Sequence, residues 1–527
     1  MANVILFTDR APESSGFDTM GWSNKMYNLS AGAYKVASHL RNRGYSVLVI
    51  SDCMSYSFAG LQEIIKNNSN DLLWVGVSTT FLPVRSDVEQ YRLSWATDSD
   101  FIIKNNLLFG QTNSYYQGGK QLPWGTREFN LMGDWLKQTY NAPFLIGGSW
   151  VSIIKNGNLS NLNDNCFVVS GKAELYVERF TAQRSVDKNT LPEYVNNNAE
   201  YDNHDYKFSK MLWREYDFIL EDDWLPLEIS RGCAFNCAYC DYDRKATFDN
   251  YKNPETLLQE LLYNYEKFGI TKYNILDDLY NDSKEKVREL YDKVWSRLPF
   301  RAEWTSYMRL DMIWADPESA DILKASGAKI GSFGIETLHD RAGKRVGKGL
   351  GRDRILKTLE HLKSSWGTDT LSVGLFIAGL PFEPRESIQE TMAWVKDTDL
   401  LYTYGYAPMW ISPPSHFGIL NKLHSISLDN EKYGITWPTK DNWINSEGIT
   451  FKEADEMSQW INAQKPLGMR INHGYYSDLR SAGLSHDEIL QIKINPEGMM
   501  HRVAESNQIK NQKVNDRMAK VLELSGI

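Results

Sequence analysis

The sequence predicts an α/β protein: two units built on parallel sheets, followed by a mainly helical tail. Three observations carry this. Apolar strand-like runs alternate with helical periodicity over residues 1–185, the alternation resumes over 225–415, and it fades after Pro413-Pro414 into helical segments. A chain of 527 residues, 42% hydrophobic and 24% charged, has ample material for two or three globular domains.

The first unit begins with strand Val4–Thr8, helix Ser30–Arg43 stopped at Gly44, strand Ser46–Ser51, helix Leu61–Lys66 and strand Leu72–Ser78. An insertion over about 81–128 interrupts it, carrying Tyr91, Trp95, Phe101, Phe109, Tyr115, Tyr116 and Trp124; so long an aromatic stretch suits a lid, an oligomer contact or a plug. Helix Leu131–Tyr140, strand Pro143–Ile146, strand Phe167–Ser170 and helix Glu174–Thr181 complete the set. Such alternation implies a doubly wound parallel sheet, whose ligands bind at the carboxyl ends of the strands where the order reverses. Thr80, Gly147, Gly148, Ser149 and Gly171 fall along that edge, although glycine pairs also serve plain tight turns. Residues 186–224 read as a polar linker.

Strand Leu225–Ile229 then delivers a loop with three of the five cysteines. Helix Pro254–Phe268, strand Lys272–Leu276, helix Ser283–Leu298, strand Arg301–Tyr307, helix Pro317–Ser326, strand Lys329–Gly334, helix Arg352–Ser365, strand Leu371–Ile377, helix Arg385–Thr398 and strand Gly405–Ile411 follow. Six strands make an open, partial (β/α)6 barrel, with its active site at the carboxyl rim. The cysteine loop, Asp277, Asp278, Arg309, Glu336 and Gly379 share that rim. Gly347-Lys348-Gly349-Leu350-Gly351 lacks the Walker spacing and reads as a loop entering the next helix. Residues 416–527 are expected to form a mainly helical cap through Phe451–Ala463, Leu484–Ile492 and Asn507–Leu524, with His416, His473, Tyr475 and Tyr476 near the mouth.

Cys233, Cys237 and Cys240 are spaced C-x3-C-x2-C. Three thiolates on a short arc can hold an iron–sulfur cube with one iron left open to another molecule. Structural zinc wants four ligands, and the nearest histidines, His204 and His339, are distant in sequence; a disulfide would leave an odd cysteine and need an oxidising compartment. Only Cys53 and Cys166 remain, too few for a second cluster. The formal charge of −9 argues against a general grip on nucleic acid, so a small molecule or peptide is the expected substrate class. No run approaches the roughly 18 apolar residues of a membrane span, and the start reads as a strand rather than an export signal, which points to the cytoplasm.

The triad, with Tyr239 just before its third cysteine, resembles the signature of the radical S-adenosylmethionine (SAM) superfamily. Over 225–415 the runs Leu276-Asp277-Asp278-Leu279-Tyr280-Asn281, Arg309-Leu310-Asp311, Gly334-Ile335-Glu336-Thr337 and Gly379-Leu380-Pro381-Phe382-Glu383 resemble that family's landmarks in order, with Phe382 where glycine is common. The resemblance implies a [4Fe–4S] cluster on Cys233, Cys237 and Cys240, with SAM chelated at the open iron and cleaved by one electron to a 5′-deoxyadenosyl radical. It further implies that Asp277 or Asp278 accepts from the SAM ammonium, Arg309 forks onto its carboxylate, Glu336 binds the ribose, and Tyr239 and Ile377 flank the adenine. A donor such as flavodoxin or ferredoxin would supply the electron.

The layout of 1–185 ahead of such a core resembles the cobalamin-binding Rossmann domain of the cobalamin-dependent radical SAM subfamily. Thr80, Gly147, Gly148, Ser149 and Gly171 would then line the corrin. The Asp-x-His-x-x-Gly loop of many cobalamin proteins is missing; the chain reads Asp9-Arg10-Ala11-Pro12-Glu13. With cobalamin, methyl transfer to carbon is the expected outcome. The alternatives are a cobalamin-independent rearrangement or cyclisation with a vestigial Rossmann domain, or a zinc-binding scaffold.

Overall fold

The structure, a computed structural model, describes residues 2–10, 27–80, 124, 126–148, 161–169, 171–183, 206–240, 242, 250–414, 424–439, 442–466, 469, 471 and 473–526. It divides into two units: one holds the described residues up to Asp223 together with those from Glu505 onward, and the other runs from Trp224 to Ala504.

In the first unit, β1 (Ala2–Phe7), α1 (Ala31–Arg41), β2 (Val47–Ile50), α2 (Phe58–Asn68), β3 (Ser69–Ser78), α3 (Thr126–Tyr140), β4 (Phe144–Gly147), β5 (Cys166–Val168) and α4 (Glu174–Ala182) alternate. The strands pair in parallel in the order β2-β1-β3-β4-β5, so the winding reverses between β1 and β3. Strands buried on both faces need continuous apolar runs, and Val-Leu-Val-Ile of β2 is wholly buried. Of the insertion, Trp124 lies in the core between Phe58 and Phe129; residues 81–123 lie outside the described residues.

The segmentation expected from sequence puts 416–527 in one C-terminal domain, and the structure cuts the chain elsewhere. The last helix, Pro496–Leu524, contributes Val514, Met518 and Val521 to the same core as Ile5, Ile50, Tyr56 and Leu61. Beside this stripe Arg517 is buried, donating to Asp223 Oδ2 at 2.8 Å, the Tyr27 hydroxyl at 2.9 Å and the Phe218 carbonyl at 3.3 Å.

In the second unit, β6 (Trp224–Leu227), α5 (Pro254–Phe268), β7 (Lys272–Ile275), α6 (Lys284–Lys293), β8 (Glu303–Met308), α7 (Leu310–Ala315), α8 (Ser319–Ala325), β9 (Ala328–Glu336), α9 (Asp340–Arg345), α10 (Arg352–Trp366), β10 (Leu371–Ala378), α11 (Arg385–Asp397) and β11 (Thr403–Pro408) form six parallel strands in sequence order. Local chemistry sets the boundaries: Asn253 caps α5, Pro254 occupies its first turn, and left-handed Gly269 ends it. One sheet face is packed on helices, with Trp304 stacked on Trp295, Phe333 on Trp366, and Phe376 edge-on to Trp394. Asn274, Tyr307, Gly334, Glu336, Leu375 and Ile377 are only partly buried and line the opposite face. The polypeptide then forms hairpin β12 (Thr436–Thr439)–β13 (Asn442–Ile444), α12 (Phe451–Ala463), α13 (His473–Ser481) and α14 (His486–Ile494). Asn462 of α12 bonds both the N–H and the carbonyl of Tyr406, covering the edge of β11. No helix among the described residues is long and apolar enough to cross a membrane.

Replacing Arg517 with leucine strands the Asp223 carboxylate in a dry environment, which typically costs about 3–5 kcal/mol. We expect a lower urea midpoint for the transition reported by the first unit's tryptophans, partly restored by Asp223→Leu in the same chain; an unchanged midpoint would remove the pair from the core's energetics.

Candidate active site

Asp277, just beyond β7, has no exposed surface. Its Oδ1 accepts from the backbone N–H groups of Ile229 and Ser230, both at 2.8 Å, and Oδ2 from the Ser230 hydroxyl at 2.6 Å. Lys286 of α6, equally buried, donates to that Oδ2 at 3.1 Å and to the Leu279 carbonyl at 3.3 Å, and pairs with Asp282 at 3.4 Å. The expectation that Asp277 meets a ligand ammonium is therefore corrected: both oxygens are spent anchoring the root of the cysteine loop. The N-cap of α6 is the Ser283 hydroxyl. Asp278, partly buried and near Cys233, keeps the candidacy.

Beyond that anchor the backbone turns at left-handed Gly232 and is held by the Ala238 N–H on the Val346 carbonyl at 2.9 Å. Cys237 is buried; Cys233 and Cys240 are partly exposed. Arg309 donates from Nη1 to Cys237 Sγ at 3.3 Å, stacks on the Phe235 ring at 3.9 Å, and forks onto Asp311 through Nε at 2.8 Å and Nη2 at 2.6 Å. Asn281 fixes the Arg309 backbone through its N–H and carbonyl. Burial opposes the guanidinium charge, but Asp311 and the Cys237 sulfur outweigh it and hold Arg309 above its ordinary range. Burial pushes the Cys233 thiol up; iron would reverse that, because metal binding displaces thiol protons. No three His, Cys, Asp or Glu side chains among the described residues converge on a single-ion position. Three thiols on one loop beside a buried cation fit an anionic cube, which spreads its ligands over separate irons.

Across the sheet, Glu336 sits at the end of β9 behind a bulge: Leu375 pairs with Gly334 but Phe376 with Glu336. Its φ is +67°, a strained value for a residue with a Cβ. Lys348 reaches its Oε1 at 3.1 Å and the Gly334 carbonyl at 2.8 Å. The Tyr239 hydroxyl also bonds Glu336, and burial and then that carboxylate push the phenol well up. Ile377 faces the same side. The next residue, Thr337, donates to buried Glu383 at 2.5 Å, and Glu383 follows Phe382, whose φ is +63°. That turn takes the conformation glycine adopts without strain. Here the Phe382 N–H donates to Ser446 Oγ at 2.9 Å and the ring lies under Arg341 and Arg345, at 5.1 and 5.3 Å.

In the first unit, Thr80, Gly147, Gly148 and Gly171 follow or end β3, β4 and β5, while Ser149 lies outside the described residues. Gly148 has φ +102°, and a Cβ there would come within 2.6 Å of the Thr79 N–H nitrogen and 2.7 Å of that of Thr80. The Thr79 hydroxyl is buried without a hydrogen-bond partner. A glycine cradle beside an unsatisfied hydroxyl fits a polar ligand at this edge. No described histidine accompanies it: His39 is engaged by Glu178, and β1 leads into a buried Arg10–Asp52 pair. Among the mouth candidates, Tyr475 and Tyr476 are buried in α13, with the Tyr476 hydroxyl bonded to His486 at 2.7 Å; His416 and the His473 side chain lie outside the described residues.

The second unit thus gathers, on one half-open sheet face, a cysteine loop, a buried guanidinium and a rigidly held carboxylate. Residues 227–395 match the Radical SAM superfamily, so the second unit carries a radical SAM domain, of a family that uses a [4Fe–4S] cluster and SAM. An uncharacterized methyltransferase, PH0819, of Pyrococcus horikoshii is 26% identical over 195 residues, 36% of this chain and 41% of that protein, so the chain spans under half of that relative. The fold is similar to that of the radical SAM methyltransferase TsrM from Kitasatospora setae, solved with cobalamin and a [4Fe–4S] cluster bound: TM-score 0.55, 13% identity, 87% of this chain and 85% of that one. It is likewise similar to the cobalamin-dependent SAM radical enzyme OxsB, solved with aqua-cobalamin and SAM bound: TM-score 0.54, 12% identity, 99% of this chain and 72% of that one.

Lys286, Lys348 and Glu383 support the site without a sequence assignment. Lys348 has a signal, a lysine between two glycines, whereas Lys286 looks like any helix-surface lysine. Burial pushes the Glu383 carboxyl up to about 8, with the Thr337 hydroxyl opposing the rise. The native chain therefore holds a proton that the unfolded chain loses near 4.5. This contribution to stability is complete below that pH, declines by about 1.4 kcal/mol per pH unit up to about 8, and then levels off. Glu383→Gln stays neutral, so its stability should match the parent under acid conditions and exceed it at mildly alkaline pH; parallel pH–stability profiles would show that Glu383 ionises normally.

Proposed function

We propose that the chain is a cobalamin-using radical SAM methyltransferase acting on a carbon of a small molecule or peptide. The observation that carries the radical part is the buried Arg309 guanidinium, clamped by Asp311, at 3.3 Å from Sγ of Cys237, whose loop also bears Cys233 and Cys240. A fixed cation there offsets the negative charge of the cluster those cysteines would hold. Asp278 would accept from the SAM ammonium, Glu336 from the ribose hydroxyls, and Ile377 would back the adenine. Tyr239 and Lys348 hold the Glu336 carboxylate in place, and Arg309 is also within the family run whose arginine suits the SAM carboxylate. When bound, the cluster and SAM supply the electron and the 5′-deoxyadenosyl radical, and cobalamin a transferable methyl group.

The cobalamin part is supported by the β2-β1-β3-β4-β5 order and by the cradle of Gly148 and Thr79 at its switch edge. One observation favours the rival, a vestigial domain serving a cobalamin-independent reaction: the buried Arg10–Asp52 pair at the end of β1.

Anaerobic reconstitution followed by metal analysis and a 5′-deoxyadenosine assay under strong reductant tests the radical reading. Four irons per chain and product formation that disappears in Cys233→Ala are expected; zinc with no 5′-deoxyadenosine would overturn it in favour of the scaffold. Protein purified with hydroxocobalamin should retain a corrin absorption band, and its loss on washing would select the rival. Asp277→Ala should lower iron retained after reconstitution, whereas Asp278→Ala should keep the iron and raise the KM for SAM. Equal iron loss in both variants would contradict their separate roles.

A further inference from the structure

We propose that the basic surface spanning residues 340–357 docks an acidic one-electron carrier protein that reduces the cluster held by Cys233, Cys237 and Cys240; this rests on the radical SAM reading. Arg341, Lys344, Arg345, Arg354 and Lys357 are exposed there, accompanied only by Asp340 and Asp353, in a chain whose formal net charge is −9. None of these five cations has a carboxylate within 4 Å among the described residues. Elsewhere in the same unit Arg288 pairs with Asp316, Arg297 with Glu255, Arg480 with Glu303 and Arg502 with Glu488. Cations left without carboxylate partners over two adjacent helices are available to an anionic surface.

The five lie on two helices joined at their starts, with Arg354 over the Trp314 ring of α7. Arg341 and Arg345 flank the same Phe382 ring, and the Arg352 N–H donates to Asp340 Oδ1 at 2.7 Å, joining the start of α10 to the start of α9. That surface abuts the cysteine loop from behind: the Val346 carbonyl accepts from the Ala238 N–H, and the Gly347 carbonyl lies 3.9 Å from Cys237 Sγ. Electron tunnelling weakens steeply with distance, so a carrier seated on α9 and the first turns of α10 is well placed. The spread of charge over two convex helices suits a protein rather than a small anion, which would need a concave cradle. In the step itself the carrier loses one electron and the cluster gains it; no bond or proton is exchanged.

The test uses the reconstituted holoenzyme bearing Lys344→Glu, Arg354→Glu and Lys357→Glu, none of which touches the cysteines or the SAM-facing residues. An acidic flavodoxin is the probe, its binding read by flavin fluorescence and its electron delivery by bleaching of the cluster absorbance. At low salt, binding should weaken and bleaching slow by about tenfold or more, with parent and variant converging at high salt. Product formation driven by dithionite and methyl viologen should change by less than about twofold, since that route ignores surface charge steering between proteins. Lys344→Gln with Lys357→Gln should move both flavodoxin readouts the same way by a smaller factor, and serves if the triple variant does not fold. Unaltered flavodoxin binding and bleaching would overturn the surface. So would loss of the dithionite-driven reaction with flavodoxin binding retained, which would assign the cations to substrate. A parent enzyme with no dithionite-driven product fails the radical SAM reading itself, distinguishably from the docking surface.

Discussion

A carboxylate and an ammonium, neither with any exposed surface, hold the root of the cysteine loop. Asp277 accepts from two successive backbone N–H groups and a hydroxyl, and Lys286 neutralises it while tying in Asp282 and the Leu279 carbonyl. Charges so deeply buried are tolerated only when their hydrogen-bonding capacity is met. Here that requirement becomes specificity: β6 can be followed by only one path, because any other leaves Asp277 or Lys286 unsatisfied. The geometry of Gly232, Phe235 and Cys237 follows from this fixed departure point, and with it the stack of Arg309 on Phe235.

Arg309 and Glu336 illustrate two ways of holding a charged group rigid. Arg309 is rigid because its guanidinium is used on three sides, by Asp311, Phe235 and Cys237. Glu336 is rigid because its backbone is strained and its carboxylate is engaged by Lys348 and Tyr239. Left-handed residues with a Cβ persist only where their surroundings over-determine them. The Thr337–Glu383 bond joins two such turns, Glu336 at the end of β9 and Phe382 after β10, so the strain in each is supported by the other.

The layout of both sheets was legible because strands covered on both faces need short, uninterrupted apolar runs, and because glycine and capping residues punctuate the helices between them. The triad was legible because its three members are local in sequence. What was not legible depends on distant pairing. Asp277 and Asp278 are the same residue type one position apart, yet a one-residue step in an extended segment reverses the direction of the side chain, and only the backbone of residues 229–230 reveals which is consumed. The contact between residues 346–347 and the cysteine loop spans more than a hundred positions, and a glycine-rich run gives no hint of its partner. The apolar stripe of Val514, Met518 and Val521 announces an amphipathic helix without saying which core it completes.

That last helix bears on how the polypeptide acquires its shape during synthesis. The first sheet emerges from the ribosome early, but the residues that close its core and neutralise Asp223 follow much later, Arg517 lying 294 positions beyond Asp223. Vectorial, domain-by-domain folding from the amino terminus therefore meets a delay: the six-stranded unit has its full sequence available while the earlier one still exposes Ile5, Ile50 and Tyr56 to solvent or to chaperones. The unit that begins first is thus the second to be finished, its core closed only after the six-stranded unit has been made.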